Sequence, residues 1–176
     1  VNLTERADKV AFTVFLVSCY IDRFPKPVLL IRGTNGSGKS TPMRILHNLI
    51  DPSELEAGTP LVRDNSELAR IANKCAVLHW DNIDGREITP EVSNAICRIT
   101  SGQAFARRVL YTNDEDSIFK GQRVVMLNGI GKLAEREDLL DRCLIFNMKR
   151  IPEDKRKTEA EIFAKLEEIK PYLLHE

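Results

Sequence analysis

The chain has 176 residues, with 26 basic and 26 acidic side chains and hence a formal net charge of zero. That length suffices for one domain with a sizeable core, and 43% apolar against 30% charged residues is ordinary globular composition. Zero net charge excludes a global field favouring nucleic acid or membrane, so any DNA-binding surface must be a local patch.

Thr4 followed by Ala7, Val10, Ala11, Val14, Phe15 and Val17 predicts a capped amphipathic packing helix within residues 1–24, ending near Phe24-Pro25. Its core, residues 10–21, is the longest uncharged stretch and too short to span a bilayer. Residues 28–31 (Val-Leu-Leu-Ile) are an apolar run of strand length, punctuated by Pro25 and Pro27. Met43, Leu46, Leu49 and Ile50 are spaced for one face of a helix over 40–50. A turn or short helical piece follows to Gly58, then a second strand over 59–63 and a helix from Asn65 with Leu68, Ile71 and Ala72 inward. Residues 75–80 are apolar enough for a central strand of a parallel sheet. Thr89-Pro90-Glu91 starts a helix with Val92, Ala95, Ile96 and Ile99 on its apolar face, and Gly102 ends it. Residues 107–112 and 118–123 flank Asn113-Asp114-Glu115-Asp116 as a hairpin or an extended loop. A fourth strand over 124–127 stops at Asn128-Gly129, a short helix covers 133–140, a fifth strand covers 143–146, and a charged helix over 153–174 closes the chain.

Strands alternating with helices predict an α/β fold with a mainly parallel five-stranded sheet and a hairpin inserted before the fourth strand. Residues 27–151 form the core and 152–176 an incomplete lid. The chain begins with Val1 rather than Met, as a piece of a longer protein would. Cys19, Cys75, Cys97 and Cys143 show no C-x-x-C spacing and read as reduced thiols, which suits a cytoplasmic protein, and His47, His79 and His175 have no metal spacing.

The most informative stretch is Gly33-Thr34-Asn35-Gly36-Ser37-Gly38-Lys39-Ser40, which fits G-x-x-x-x-G-K-[ST] between a predicted strand and a predicted helix. Such a loop makes a nest of backbone N–H groups for phosphate, reinforced by the helix N-terminus where Ser40 and Thr41 lie. Lys39 is expected to reach the β- and γ-phosphates, and the Ser40 hydroxyl to ligate Mg²⁺. Asp81 directly follows the third strand, where a carboxylate positions Mg²⁺. Asn82 comes next. An amide there can orient a water but cannot take its proton, which leaves Asp84 as a substitute base or leaves hydrolysis slow or partner-dependent. Asn128, 47 residues after Asp81, either orients water or a γ-phosphate or serves as the first half of an Asn-Gly turn. Arg142 precedes the fifth strand and can be offered to a neighbouring subunit's nucleotide, or it pairs with Asp138 or Asp141; Arg136 is the second candidate.

These pieces, in this order, resemble the AAA+ branch of phosphate-loop ATPases. Over roughly residues 27–151 they resemble more closely the ATPase domains of phage and mobile-element primase–helicases, akin to superfamily 3 helicases. The stretches 99–103, 107–111 and 124–129 carry the closer likeness. The resemblance implies an ATP- and Mg²⁺-dependent ATPase at the subunit interfaces of a ring of six, coupled to DNA replication. It also implies that the hairpin over 107–120 lines a pore and meets single-stranded DNA. Arg107, Arg108, Lys120 and Arg123 would contact phosphates there, and Tyr111 and Phe119 would stack on bases. Two features depart from that family: Asn82 stands where an acid is usual, and no full helical lid follows the last strand. Lys149-Arg150 and Lys155-Arg156-Lys157 are basic but are not expected over the loop. Two other functions fit the same loop, a nucleoside or small-molecule kinase and an ATP-dependent assembly module with little hydrolysis.

Overall fold

The computed structural model describes residues 2–51, 58–103, 121–131 and 133–173. Four strands, β1 (Val28–Gly33), β2 (Val77–Ile83), β3 (Val124–Gly129) and β4 (Cys143–Met148), form one parallel sheet in the order β2-β3-β1-β4. The helices are α1 (Arg6–Cys19), α2 (Ser40–Ile50), α3 (Asn65–Lys74), α4 (Pro90–Ser101), α5 (Glu137–Leu140) and α6 (Glu159–Leu173).

Alternation along each strand sends side chains to two cores. Val28, Leu30, Leu78, Trp80, Val125 and Leu127 pack with Leu68, Ala72, Val92, Ile96, Ile99 and Leu139 of α3, α4 and α5. Leu29, Ile31, Val77, Met126, Phe146 and Met148 pack on the other face with Phe15 of α1 and Met43 and Leu46 of α2. The central strands are buried on both sides, which is why they read as continuous apolar runs.

Several sequence expectations need correction. Among the described residues the sheet has four strands rather than five. The strand expected over 59–63 is a single parallel bridge between Thr59 and Trp80. Thr59 N–H donates to His79 O at 3.2 Å and its carbonyl accepts from Asp81 N–H at 3.3 Å, and among the described residues the pairing goes no further. The region over 104–120 that holds most of the expected hairpin lies outside the described residues. Thr4 does not cap α1, whose N-cap Glu5 makes no side-chain capping bond. That helix ends at Cys19, well before Pro25, because buried Lys26 closes it: its ammonium donates to Ser18 O at 2.6 Å and to Ile21 O. The helix expected over 133–140 is only the four residues of α5, although Leu133 and Ala134 are core residues.

The final helix begins at Glu159 after a 3-10 turn at Glu153–Lys155. Thr158 and Glu161 set its start reciprocally: Thr158 N–H donates to Glu161 Oε2 at 2.7 Å, and Glu161 N–H donates to Thr158 Oγ1 at 3.3 Å. α6 is fastened to α2 by Lys170 Nζ donating to Asn48 Oδ1 at 2.7 Å, by an Arg44–Glu159 ion pair, and by Arg44 lying 5.6 Å from the Phe163 ring centre. Among the described residues no helix is long and apolar enough to cross a membrane.

His79 is buried in β2 and neither ring nitrogen has a hydrogen-bond partner among the described residues. Burial pushes its pKa down to about 4; Asp81 opposes this, and His47 and Arg44 add to it. The unfolded chain takes up this proton near pH 6.5 and the native state only near 4, so stability falls as pH drops through that window. The loss from this group is expected to reach about 3 kcal/mol at the lower end. Urea unfolding of wild type and His79→Phe between pH 7 and 4 checks this; an unchanged pH slope in the variant contradicts it.

Candidate nucleotide site

The site is built where strands β1, β2 and β3 end, on the face that carries α2. β1 runs into the Gly-rich loop and α2 begins at Ser40, so the sequence-predicted context of strand, loop and helix is present. Gly36 and Gly38 sit at φ of +77° and +75°, a left-handed conformation that side chains with a Cβ adopt at a cost. Ser37 N–H closes a turn on Thr34 O at 3.2 Å, leaving Thr34, Asn35 and Gly36 exposed. Pro42 lies in the first turn of α2, where no helical partner for its missing N–H is lost.

Lys39 folds back over this loop. Its ammonium donates to Gly33 O at 2.8 Å and Thr34 O at 3.1 Å. Partial burial pulls its pKa down, and the Asp81 charge opposes that pull. Ser40 Oγ donates to Asp81 Oδ1 at 3.2 Å, joining two predicted site residues 41 positions apart. A hydroxyl and a carboxylate are hard oxygen donors. As two protein ligands beside a phosphate loop they fit Mg²⁺, which retains water and takes phosphate oxygens for its other positions. Thr41 is half-buried in the same first turn.

Asp81 is walled by a segment the sequence reading did not place at the site. A Cβ on Gly58 would fall 3.2 Å from Asp81 Cβ, and Thr59 O accepts from Asp81 N–H. The only available signal was the glycine itself, read as a stop rather than as a close approach.

After Asp81 the pairing register of β2 with β3 slips between Trp80 and Ile83. Asn82 sits in that irregularity at φ +55°, exposed, and its N–H donates to Asn128 Oδ1 at 2.9 Å. Bulges of this kind re-aim side chains beside functional sites. Asn128 is fully buried. Its carbonyl oxygen is thus occupied in fixing Asn82, while its Nδ2 is buried with no partner among the described residues. A buried amide donor of this kind calls for an acceptor such as water or a phosphate oxygen.

Asp84 is not a free base. Its carboxylate accepts from the Arg86 backbone and takes both ends of the Arg86 guanidinium, at 2.6 and 3.0 Å. Those bonds hold its pKa down at about 2, which makes a weak proton acceptor.

Arg142 is not brought to this site. It opens β4 at the opposite end of the sheet, where its carbonyl accepts from Val28 N–H at 2.8 Å and its guanidinium reaches Ser101 Oγ at 3.4 Å. The length of β1 separates it from the loop, about 20 Å for six residues. The expected pairing to Asp138 belongs instead to Arg136, at 3.2 Å. Arg142 also lines a groove of about 940 Å³ between α1 and β4, alongside Val10, Val14, Phe24 and Lys26. Arg107, Arg108 and Lys120 lie outside the described residues.

The basic segment after β4 does lie against the loop, contrary to expectation. Ile151 N–H donates to Gly36 O at 3.0 Å, and a Cβ on Gly36 would fall 2.7 Å from Arg156 Nη2.

Comparison with solved structures defines the class of fold. The C-terminal region of NrS-1 aligns over 95% of this chain and 41% of its own, with TM-score 0.61 and 14% identity. JCV helicase aligns over 93% of this chain and 46% of its own, with TM-score 0.50 and 17% identity. At such identities the likeness concerns the fold alone, and the chain spans less than half the length of either structure. No curated protein sequence matches. The family model of the actinomycete integrative conjugative element replication protein matches residues 1–176, and the chain belongs to that family.

Gly129 ends β3 against the backbone that carries Asn82. A Cβ there would fall 2.2 Å from Ile83 O and 2.6 Å from Leu133 Cδ2. Gly129→Ala is expected to cost about 2 kcal/mol in chemical denaturation; a neutral result contradicts this packing.

Proposed function

We propose that this chain is the ATP-hydrolysing motor domain of a replication protein, working as one subunit of a ring with the nucleotide between neighbours. The observation that carries the reading is the Ser40–Asp81 hydrogen bond at the mouth of the phosphate loop. In this reading residues 33–41 bind the triphosphate, Lys39 leaves its carbonyl partners for the outer phosphates, and Ser40 and Asp81 hold Mg²⁺. The metal, when bound, neutralises charge on the phosphates. Asn82 positions water and Asn128 Nδ2 supplies the buried donor beside it.

Arg142 acts on the nucleotide of the next copy, since its own loop is out of reach. A face of α1 with Val10, Val14 and Val17 more than half exposed adjoins it and favours contact between copies. Single-stranded DNA would meet Arg107, Arg108 and Lys120. Such rings commonly have six members, and this is the stoichiometry we assign.

One observation favours a second reading, an ATP-dependent assembly module that hydrolyses little. Asn82 replaces a base, and Asp84 is held by Arg86. Turnover measured with and without single-stranded DNA separates the two. The motor reading expects stimulation by DNA and loss of at least about tenfold in Lys39→Ala. Nucleotide-dependent assembly with no turnover under either condition favours the module.

Arg142→Ala is expected to bind nucleotide normally but to lose turnover by about a hundredfold or more. Mixing it with Lys39→Ala should restore activity, because each inactive copy then supplies what its neighbour lacks. Mixtures as inactive as their components contradict a shared site.

A further inference from the structure

The groove of about 940 Å³ beside the edge strand β4 is mainly apolar, with Val10, Val14, Phe24 and Leu144 in its lining. Val10 and Val14 are more than half exposed. Three cations, Arg6, Lys26 and Arg142, line the groove against one acid, Asp141. Lys26 is turned inward onto the Ser18 and Ile21 carbonyls. Arg6 and Arg142 remain: among the described residues neither pairs with a carboxylate, and Arg142 reaches the Ser101 hydroxyl at 3.4 Å.

The complementary features stand on the opposite flank of the molecule, where the other edge strand, β2, ends beside β3. A cavity of about 510 Å³ there is lined by Asn82, Asp84, Arg86, Ile130 and Glu135. Ile130 directly follows Gly129 at the end of β3 and is 51% exposed. A single exposed aliphatic side chain is ordinary; what distinguishes Ile130 is its place at the nucleotide edge. The other large apolar side chains exposed among the described residues lie elsewhere. One group is on α1 and the turn after it, and the other is on the last turns of α6, which meets α2 at Asn48, remote from Ser40. Glu135 has no ion-pair partner among the described residues, whereas Asp84 is held by Arg86. One flank thus offers an apolar groove with two unpaired cations, and the other an exposed aliphatic side chain with an unpaired carboxylate.

We propose that the groove beside β4 receives the nucleotide edge of a second copy of this chain. Ile130 of one copy seats among Val10, Val14 and Phe24 of the next, and Glu135 pairs with Arg6. Arg142, which lines the same groove, is thereby carried towards Asn82 and Asn128 of the copy that supplies Ile130. Groove and Ile130 lie on opposite flanks, so the contact is head-to-tail and repeats from copy to copy until it closes. The Glu135–Arg6 pair contributes more to orientation than to affinity. This pairing of surfaces rests on the reading of the chain as a ring subunit with its nucleotide between neighbours.

The test is sedimentation velocity with a non-hydrolysable ATP analogue and Mg²⁺, for wild type, Val14→Glu, Ile130→Glu and the two variants mixed. Titration with the same analogue and thermal unfolding confirm that each variant is folded. Either variant alone is expected to weaken assembly by at least about tenfold. Mixed, they are expected to form a dimer and nothing larger, because the intact Ile130 of one fits the intact groove of the other and the remaining two surfaces are blocked. Arg6→Glu and Glu135→Arg should each weaken assembly, and the two changes in one chain should restore it. If wild type assembles and either apolar variant does so as tightly, the inference is overturned while the ring reading stands. The same holds if the mixture stays monomeric or grows beyond a dimer, or if the double charge reversal restores nothing. If wild type stays monomeric with the analogue, the ring reading itself fails and takes the inference with it.

Discussion

The hydrogen bond from Ser40 to Asp81 depends on the order of the sheet. Ser40 starts the helix that leaves β1, and Asp81 lies near the end of β2, two places away across β3. Neighbouring strands are about 4.8 Å apart, so the two side chains meet over a gap of about 10 Å that β3 fills from below. The end of β3 is where Asn128 stands. All three strands are parallel, so their carboxyl ends share one edge, where open α/β sheets bind ligands. Antiparallel pairing of any one of them would send its site residue to the far end of the sheet.

The same geometry separates two kinds of arginine. Arg142 enters at the amino end of the sheet beside an exposed apolar helix, which suits it to act on another copy. Arg156 returns to the carboxyl edge through a strap tied to both the loop and α2. The weak point of the site is the base. Asn82 cannot accept a proton, its backbone is held by Asn128, and Asp84 is engaged by Arg86. Nucleotide binding is therefore provided for more fully than water activation.

Much of this was legible from residue order, because local rules governed it. The loop glycines and the apolar runs of β1 and β3 depend on short-range chemistry, whereas Asp81, expected just after a strand over 75–80, lies inside β2, which runs from Val77 to Ile83. Asn128 was identified as a site residue, but its fully buried carbonyl acting on Asn82 depends on the register slip in β2 and cannot be read from spacing. Residues 59–63 had strand composition, yet a strand needs a partner ladder, and only Thr59 pairs with β2. Arg156 was hidden for a different reason. It lies 120 residues from Gly36, and a run of charges ordinarily marks a solvated face. Only the 3-10 turn and the docking of α6 on α2 bring it back to the loop.

The central claim, that Ser40 and Asp81 form one Mg²⁺–nucleotide site, is tested most directly by the metal dependence of nucleotide binding. ATP should bind wild type more tightly with Mg²⁺ than with a chelator. Asp81→Asn should retain the metal-free affinity and lose most of the gain from Mg²⁺. An Asp81→Asn chain that keeps the full Mg²⁺ gain would contradict the account.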